Sequence, residues 1–356
     1  MKKIVDILLI CFGCFIGVII IIFVGLMLFG KGNILLPVAK KDVFEVDINT
    51  KYTQSLFVQD NKIMNASGEQ ILLKGIMVPE AQKLNTDADF NEEYFKGVFE
   101  SGANVIRIPV HPKAWVSDEY YLWRYLDPIV TWAIKYNKYV IIDLHFIGNI
   151  ETGAGSEMVD VKMKPYDFSV EFWNTVASYF KDVPNVIFEI YNEPASIRGD
   201  IWSAHANSLV ETIRSTGSNQ LILVSGIDYS YDLSYWERQP LEDGNIAYSA
   251  HIFPNRIGWK RKFETIADTL PIVVTEWGYA SEDGLVEQAY LKGNRKSYGE
   301  SIIQFMEEHN IGWVACWYDD GWEPPMFYEG MEELTDWGMF VMEQLSREQY
   351  GSKSYY

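Results

Sequence analysis

From residue 71 onward, short apolar runs alternate with longer stretches in which apolar residues recur every three or four positions. The short runs are Ile71–Ile76, Asn104–Pro109, Tyr139–Leu144, Val186–Tyr191, Leu221–Ser225, Ile246–Ala250, Ile272–Thr275 and Gly312–Trp317. They are rich in Val, Ile and aromatic residues and apolar on both faces, as buried parallel strands are. Between most of them the spacing predicts helices over Asn91–Glu100, Glu119–Tyr136, Phe168–Phe180, Ile201–Ser215 and Ser297–His309. Several end at Gly or Asn, the residues that most easily leave a helix through left-handed backbone. Eight strands alternating with helices predict an α/β fold, a closed (β/α)8 TIM barrel. An open doubly wound sheet is the second choice. No Gly-x-Gly-x-x-Gly follows the first strand, which argues against a dinucleotide site.

The pattern before residue 71 is different. Leu56–Val78 reads as strand, turn, strand, with Asn65-Ala66-Ser67-Gly68 as the turn. Residues 31–55 lack periodicity and read as a stalk. Ile7–Phe29 carries no charge, follows Lys2 and Lys3, and as a helix is roughly 34 Å long, enough to span a bilayer core. It is too long for a typical cleavable leader and no Ala-x-Ala follows it. The expected organisation is therefore a transmembrane signal anchor (1–30), a stalk (31–55), a catalytic domain (56–347) and a short tail (348–356). The domain is expected outside the cytoplasm on a single-pass cell-membrane anchor, or secreted if the anchor is cleaved.

Charge narrows the partners. The chain carries a net −19. Lys2, Lys3 and Asp6 give residues 1–30 a balance of +1, so the remainder carries −20. Such a surface repels nucleic-acid phosphates, and a neutral ligand is expected instead. Of three cysteines, Cys11 and Cys14 fall in the apolar run, leaving Cys316. Neither a disulfide framework nor a zinc site is available to the domain. No cofactor and no metal are expected; Asp319 and Asp320 lack a plausible ligand set. Aromatics make up 15% of the chain, with 12 Trp and 22 Tyr. Much of this must be core, but the excess suits a cleft that stacks flat rings on sugars.

In a (β/α)8 barrel the C-terminal ends of the strands face the active site. The polar or aromatic residues there are Arg107, His111, His145, Asn192, Glu193, His251, Glu276 and Trp317, which include three of the five histidines. Val186–Tyr191 ends in Asn192-Glu193-Pro194, and Pro271–Thr275 ends in Glu276-Trp277-Gly278. Two strand-end glutamates on strands four and seven can supply a proton donor and a second carboxylate to one glycosidic bond. A gap of about 5–5.5 Å makes the second a nucleophile, whereas about 6.5–9.5 Å admits a water. The sequence leaves that distance open.

On these motifs the chain resembles glycoside hydrolase family 5 across residues 56–345. Ile187-Phe188-Glu189-Ile190-Tyr191-Asn192-Glu193-Pro194 carries most of the likeness. Thr275-Glu276-Trp277-Gly278, Asn104-Val105-Ile106-Arg107-Ile108-Pro109, Asp143-Leu144-His145, His251 and Trp317 support it. The resemblance implies that Glu193 is the general acid/base and Glu276 the nucleophile. It implies that Asn192 contacts the sugar 2-hydroxyl, and that His145 and His251 orient carboxylates and bind sugar hydroxyls. It further implies His111 as a sugar contact and Trp317 as the floor under the sugar. Arg107, a permanent cation, would hold Glu276 ionised.

One feature departs from the family pattern. Many members have His-x-Tyr after strand six, with the hydroxyl touching the nucleophile; here the run is His251-Ile252-Phe253. Another group, Tyr279 for instance, would have to replace that hydroxyl. Trp115, Trp236, Trp259 and Trp322 are weaker sugar-binding candidates, and the 319–325 loop could shape the cleft. The expected activity is retaining hydrolysis of β-linked polysaccharide, foremost endo-β-1,4-glucan. β-Mannanase or transglycosylase activity, or a non-catalytic carbohydrate receptor, are the alternatives. Oligomeric state cannot be read.

Overall fold

The structure is a computed structural model that describes residues 37–45, 50–155, 162–280 and 288–351. The predicted anchor Ile7–Phe29 lies outside these residues. Among the described residues, no helix is long and apolar enough to cross a membrane.

In chain order the strands are β1 (Leu56–Gln59), β2 (Lys62–Asn65), β3 (Lys74–Met77), β4 (Val105–Val110), β5 (Tyr139–Leu144), β6 (Ile147–Gly148), β7 (Val186–Glu189), β8 (Glu193–Pro194), β9 (Ile222–Ser225), β10 (Ile246–His251), β11 (Ile272–Trp277) and β12 (Gly312–Ala315). Eight of them close a barrel in the order β3-β4-β5-β7-β9-β10-β11-β12. All eight ladders run parallel, and the last joins Trp313 of β12 to Lys74 of β3. The eight predicted runs are the eight barrel strands.

Local chemistry explains the helix ends. The Asn91 side chain accepts from Tyr94 N at 3.0 Å and caps Glu92–Glu100. Asn137, at φ 55°, reverses the chain just past Asp127–Lys135. Among the described residues, the helices Ala81–Asp87, Trp259–Ala267 and Asp336–Gly351 escape the sequence pattern, as do short ones such as Pro112–Ser117 and Ser234–Arg238. Trp259–Ala267 fully buries only Phe263, Ile266 and Ala267, and Lys260, Arg261, Lys262 and Glu264 charge most of the rest, so its apolar stripe is too narrow to read. Asp336–Gly351 also runs past the domain end expected at residue 347.

The core has two parts. Large side chains such as Trp173, Trp202 and Trp313 fill the layer between barrel and helices. A second cluster fills the barrel floor, where Leu56 and Ile63 of the β1–β2 hairpin meet Leu73, Val105, Tyr139, Ile187 and Leu221 at the N-terminal ends of the strands. The hairpin is tied down by polar bonds. Asn245 Oδ1 accepts from Val58 N at 3.1 Å, its Nδ2 donates to Leu56 O at 3.2 Å, and Tyr139 Oη donates to Gln54 O at 2.8 Å. Part of the expected stalk also packs on the domain. Phe44 is buried against Tyr179 and Phe180, and Trp123 Nε1 donates to Lys41 O at 2.9 Å.

Strands β3 and β4 approach so closely at Gly75 that a Cβ there would lie 2.0 Å from Val105 O. Gly75→Ala must push two barrel strands apart. It should lower the free energy of unfolding by about 1–3 kcal/mol, or prevent folding, as read from urea titration.

Candidate active site

The site is built around Arg107 on β4. Its side chain is fully buried, and every guanidinium nitrogen is engaged. Nε donates to Glu189 Oε2 at 2.6 Å, Nη1 to Glu276 Oε1 at 2.6 Å, and Nη2 to Asn192 Oδ1 at 2.7 Å. Asp143 Oδ2 lies 3.0 Å from Nη2. Burial alone would lower the guanidinium pKa. The charges of Asp143, Glu189 and Glu276 instead hold it well above its ordinary value. Thr275 Oγ1 donates to the other oxygen of Glu189 at 2.8 Å, which fixes that carboxylate from both sides.

Backbone geometry places the two strand-end glutamates. Beyond β5 and β7 the chains stay paired through the short β6–β8 ladder, where Ile147 faces Glu193. Glu193 N donates to Phe146 O at 3.1 Å and Asn192 N to Leu144 O at 3.0 Å. On the other side, the β10–β11 register slips between Ala250 and His251 and sets His251 opposite Glu276. His251 Nδ1 shares a hydrogen bond of 2.8 Å with Glu193 Oε1 and lies 3.6 Å from Glu276 Oε2. One oxygen of Glu193, one oxygen of Glu276 and a His251 ring nitrogen all lie within 4.8 Å of one another.

Burial dominates the electrostatics. It pushes Glu193 up to about 7, although Arg107 and Arg256 pull the other way. Glu276 is also raised by burial, with the nearby His251 and Arg107 opposing. His251 is pushed down to about 4 by burial, and His145 falls well below its ordinary value for the same reason, with Arg107 adding to the effect. Near neutral pH both imidazoles are therefore uncharged. Asp143, raised to about 7 by burial, shares a 2.6 Å hydrogen bond with His145 Nδ1.

The Glu193–His251–Glu276 trio has the residue types of a metal site, but its chemistry suits one poorly. His251 Nδ1 is already shared with Glu193, and a guanidinium sits 2.6 Å from a Glu276 oxygen, where it would repel a divalent cation.

The trio opens into a cleft of about 1030 Å3 lined by His145, Asn192, Glu193, His251, Glu276 and Trp317, among others. Its position at the C-terminal rim of the barrel and its convergent polar groups mark it as the candidate active site. The family model for Cellulase (glycosyl hydrolase family 5) matches residues 64–320. The chain belongs to glycosyl hydrolase family 5.

Curated relatives of this family 5 domain carry cellulase names. Cellulase CelDZ1 of Thermoanaerobacterium sp is 27% identical over 203 residues, 51% of this chain and 48% of that protein. An endoglucanase of Clostridium saccharobutylicum is 26% identical over 276 residues, 74% of this chain and 57% of that protein. Endoglucanase A of Butyrivibrio fibrisolvens is 26% identical over 333 residues, 85% and 71% of the two chains. The chain thus spans about half the length of the first two of these relatives. Among solved structures, the beta-glucanase SdGluc5_26A from Saccharophagus degradans in complex with cellotetraose superposes with a TM-score of 0.81 at 24% identity, covering 89% of this chain and 100% of that one. The catalytic domain of Thermobifida fusca endoglucanase Cel5A gives 0.69 at 19%, with 82% and 97% covered. These likenesses show the (β/α)8 fold.

Not every sequence candidate reaches the cleft. Arg107 and His111, both counted among the strand-end site residues, do not line it. Arg107 lies beneath it. His111 stacks on His145, with ring centroids 4.7 Å apart, and on Trp322 at 5.6 Å. Of the four weaker tryptophans, Trp322 lines the cleft. Trp236 is buried with its Nε1 donating to Ser225 O at 3.0 Å, Trp115 packs on Phe172, and Trp259 packs on Phe305. Tyr279 cannot stand in for the missing strand-six hydroxyl. It is buried among Tyr298, Trp337 and Phe340. Tyr290 lines the cleft beside Phe253, ring centroids 5.1 Å apart, and its hydroxyl is raised by burial and by the charges of Glu276 and Glu193. Glu189 and Asp143, not singled out from sequence, join Arg107 beneath the cleft. Their signal was a lone carboxylate in an apolar strand, which requires a buried partner.

Removing the guanidinium would strand three carboxylates in the barrel. Arg107→Met should cost about 3–5 kcal/mol of stability, visible as a large fall in Tm, because buried charges lose their counterion.

Proposed function

We propose that this chain is a retaining glycoside hydrolase that cuts β-1,4-linked glucan, with Glu193 as acid/base and Glu276 as nucleophile. The reading is carried by the approach of a Glu193 oxygen and a Glu276 oxygen to within 4.8 Å. That gap is close to the separation of retaining pairs and tight for the water an inverting enzyme needs. The endoglucanase names of the relatives support the substrate class.

In the first step a Glu276 carboxylate oxygen attacks the anomeric carbon while Glu193 gives its proton to the departing glycosidic oxygen. A glycosyl ester on Glu276 and a shortened sugar chain result. In the second step Glu193, now a base, takes a proton from water. The water oxygen displaces Glu276, and both carboxyl groups return to their starting states.

The two groups need opposite protonation, and their neighbours favour that split. Glu193 faces a neutral imidazole and is raised to about 7, whereas Glu276 receives a hydrogen bond from a permanent cation. Asn192 Nδ2 is buried at the cleft without a partner among the described residues and is available to a sugar 2-hydroxyl. His251 orients both carboxylates. Trp317, in edge contact with Trp322 at 4.7 Å, offers a ring to the sugar being cleaved. Arg107 acts through Glu276 and Asn192 rather than on the sugar. The apolar run Ile7–Phe29 supports a membrane anchor with the domain outside the cytoplasm. Membrane fractionation of the full chain, with and without residues 1–30, tests that placement.

Residues 31–356 should hydrolyse cello-oligosaccharides with retention, as followed by NMR of the first-formed anomer. Glu276→Ala should lose at least about 10³-fold in kcat, and added azide should restore turnover as the α-glycosyl azide; normal activity in this variant would remove Glu276 from its role. The acid must be protonated in the free enzyme, so kcat/KM should fall as pH rises past about 7, the value to which burial lifts Glu193. A basic limb unchanged in Glu193→Gln would assign the proton donor elsewhere.

A further inference from the structure

A guanidinium has five N–H groups to satisfy, and those of Arg107 face four oxygens, from Glu189, Glu276, Asn192 and Asp143. The fifth acceptor is a sulfur. Met77, the last residue of β3, stands opposite Arg107 in the β3–β4 register, and Nη1 donates to its Sδ at 2.9 Å. Nη1 therefore serves two acceptors, this thioether and the Glu276 oxygen at 2.6 Å. Both Met77 and Arg107 are fully buried. An N–H left without a partner there would carry its whole desolvation cost.

Charge explains why the fifth acceptor is a thioether. Three carboxylates already surround the one guanidinium. A fourth would add an uncompensated negative charge in a buried site. A thioether is uncharged, and its polarizable sulfur can take the spare hydrogen while the same side chain fills apolar space. Met77 is held in turn. Its backbone oxygen accepts from Tyr318 N at 2.9 Å, and Cys316 Sγ lies 3.8 Å from its Sδ. The sulfur thus sits between Arg107 on β4 and the segment just past β12.

The guanidinium is planar and rigid, so fixing one hydrogen of Nη1 also fixes the direction of the other. We propose that Met77 is a positioning residue for the nucleophile: its sulfur takes one Nη1 hydrogen and so keeps the other on Glu276. The proposal rests on the assignment of Glu276 as nucleophile. Met77 does not line the cleft and acts only through Arg107. Without the sulfur, the guanidinium must turn to find another acceptor for the freed hydrogen, and the bond to Glu276 loosens. A carboxylate held less firmly takes up a proton at higher pH. Met77 also packs with Val105, Ile141 and Cys316, which an apolar side chain of its size could do without any sulfur. The two roles, acceptor and filler, are therefore separable.

The test uses 2,4-dinitrophenyl β-cellobioside, whose leaving group needs little proton donation, so that the first step makes small demands on Glu193. Met77→Leu keeps the apolar bulk and removes the acceptor. It should lower kcat/KM about 5- to 30-fold and move the acidic limb of the pH profile, where Glu276 takes up its proton, to higher pH. Met77→Gln, of similar length and with an amide oxygen to accept the same hydrogen, should recover most of the rate and return the limb. A Met77→Leu enzyme with wild-type kcat/KM and an unmoved limb would overturn the proposal. So would a Met77→Gln enzyme as slow as Met77→Leu or slower, because a mere filler tolerates leucine better than a buried amide. The unmutated protein supplies a readout that no folding defect can obscure. Growth on selenomethionine should shift an Arg107 Nη1 proton in spectra of ¹⁵N-arginine-labelled protein; an unshifted signal would put the sulfur outside hydrogen-bond reach and overturn the role. Failure of azide to rescue Glu276→Ala would instead remove the nucleophile assignment, and the positioning role with it.

Discussion

A single guanidinium organises the active end of this barrel. Arg107 joins β4 to Asp143 on β5, Glu189 on β7, Asn192 just beyond it and Glu276 on β11. Five donors on a rigid planar fork are enough to fix several acceptors at once, which a lysine could not do. Without that hub the carboxylates would repel one another, and the rim could not hold two glutamates close to a shared centre. Fixing the acceptors also fixes the strand ends that carry them.

The same burial that makes the hub necessary also shapes the acid–base chemistry. Water-poor surroundings raise carboxylic acids and lower imidazoles, so the site near neutral pH holds uncharged histidines around two unlike glutamates. What separates the glutamates is their company. His251 shares its Nδ1 hydrogen bond with Glu193, while Arg107 brings its positive charge to Glu276. The two glutamates are thus distinguished by neighbours two strands away in the sheet or more.

Much of this was legible in the sequence because the barrel strands are apolar on both faces and end in polar residues. Glu193, Glu276, His251 and Asn192 announced themselves by interrupting such runs, and they meet at one cleft. Other features had no comparable signal. His111 ends a strand like the rest, yet its ring turns behind His145, and rotamer and loop path are not written in spacing. Trp236 and Trp259 sit beyond strand ends but face the core, because a tryptophan in a loop satisfies either environment. The charged helix Trp259–Ala267 hides behind too few apolar positions. Asp228, Tyr229 and Ser230 stand at φ 56°, 58° and 57°, yet only Asp228 is of a type that favours left-handed backbone; hydrogen bonds from Arg256 to Asp228 O and from Ser230 to Asn192 O hold the turn.

The hairpin of β1 and β2 has a practical consequence for anyone cutting or joining this chain. Leu56 and Ile63 act as a stopper in the end of the barrel opposite the cleft. A recombinant boundary drawn at the first barrel strand would discard that stopper and wet the apolar residues under it. Fusion partners or tags are better tolerated upstream of the Lys41 and Phe44 contacts than between Gln54 and Leu73, where the plug itself is made.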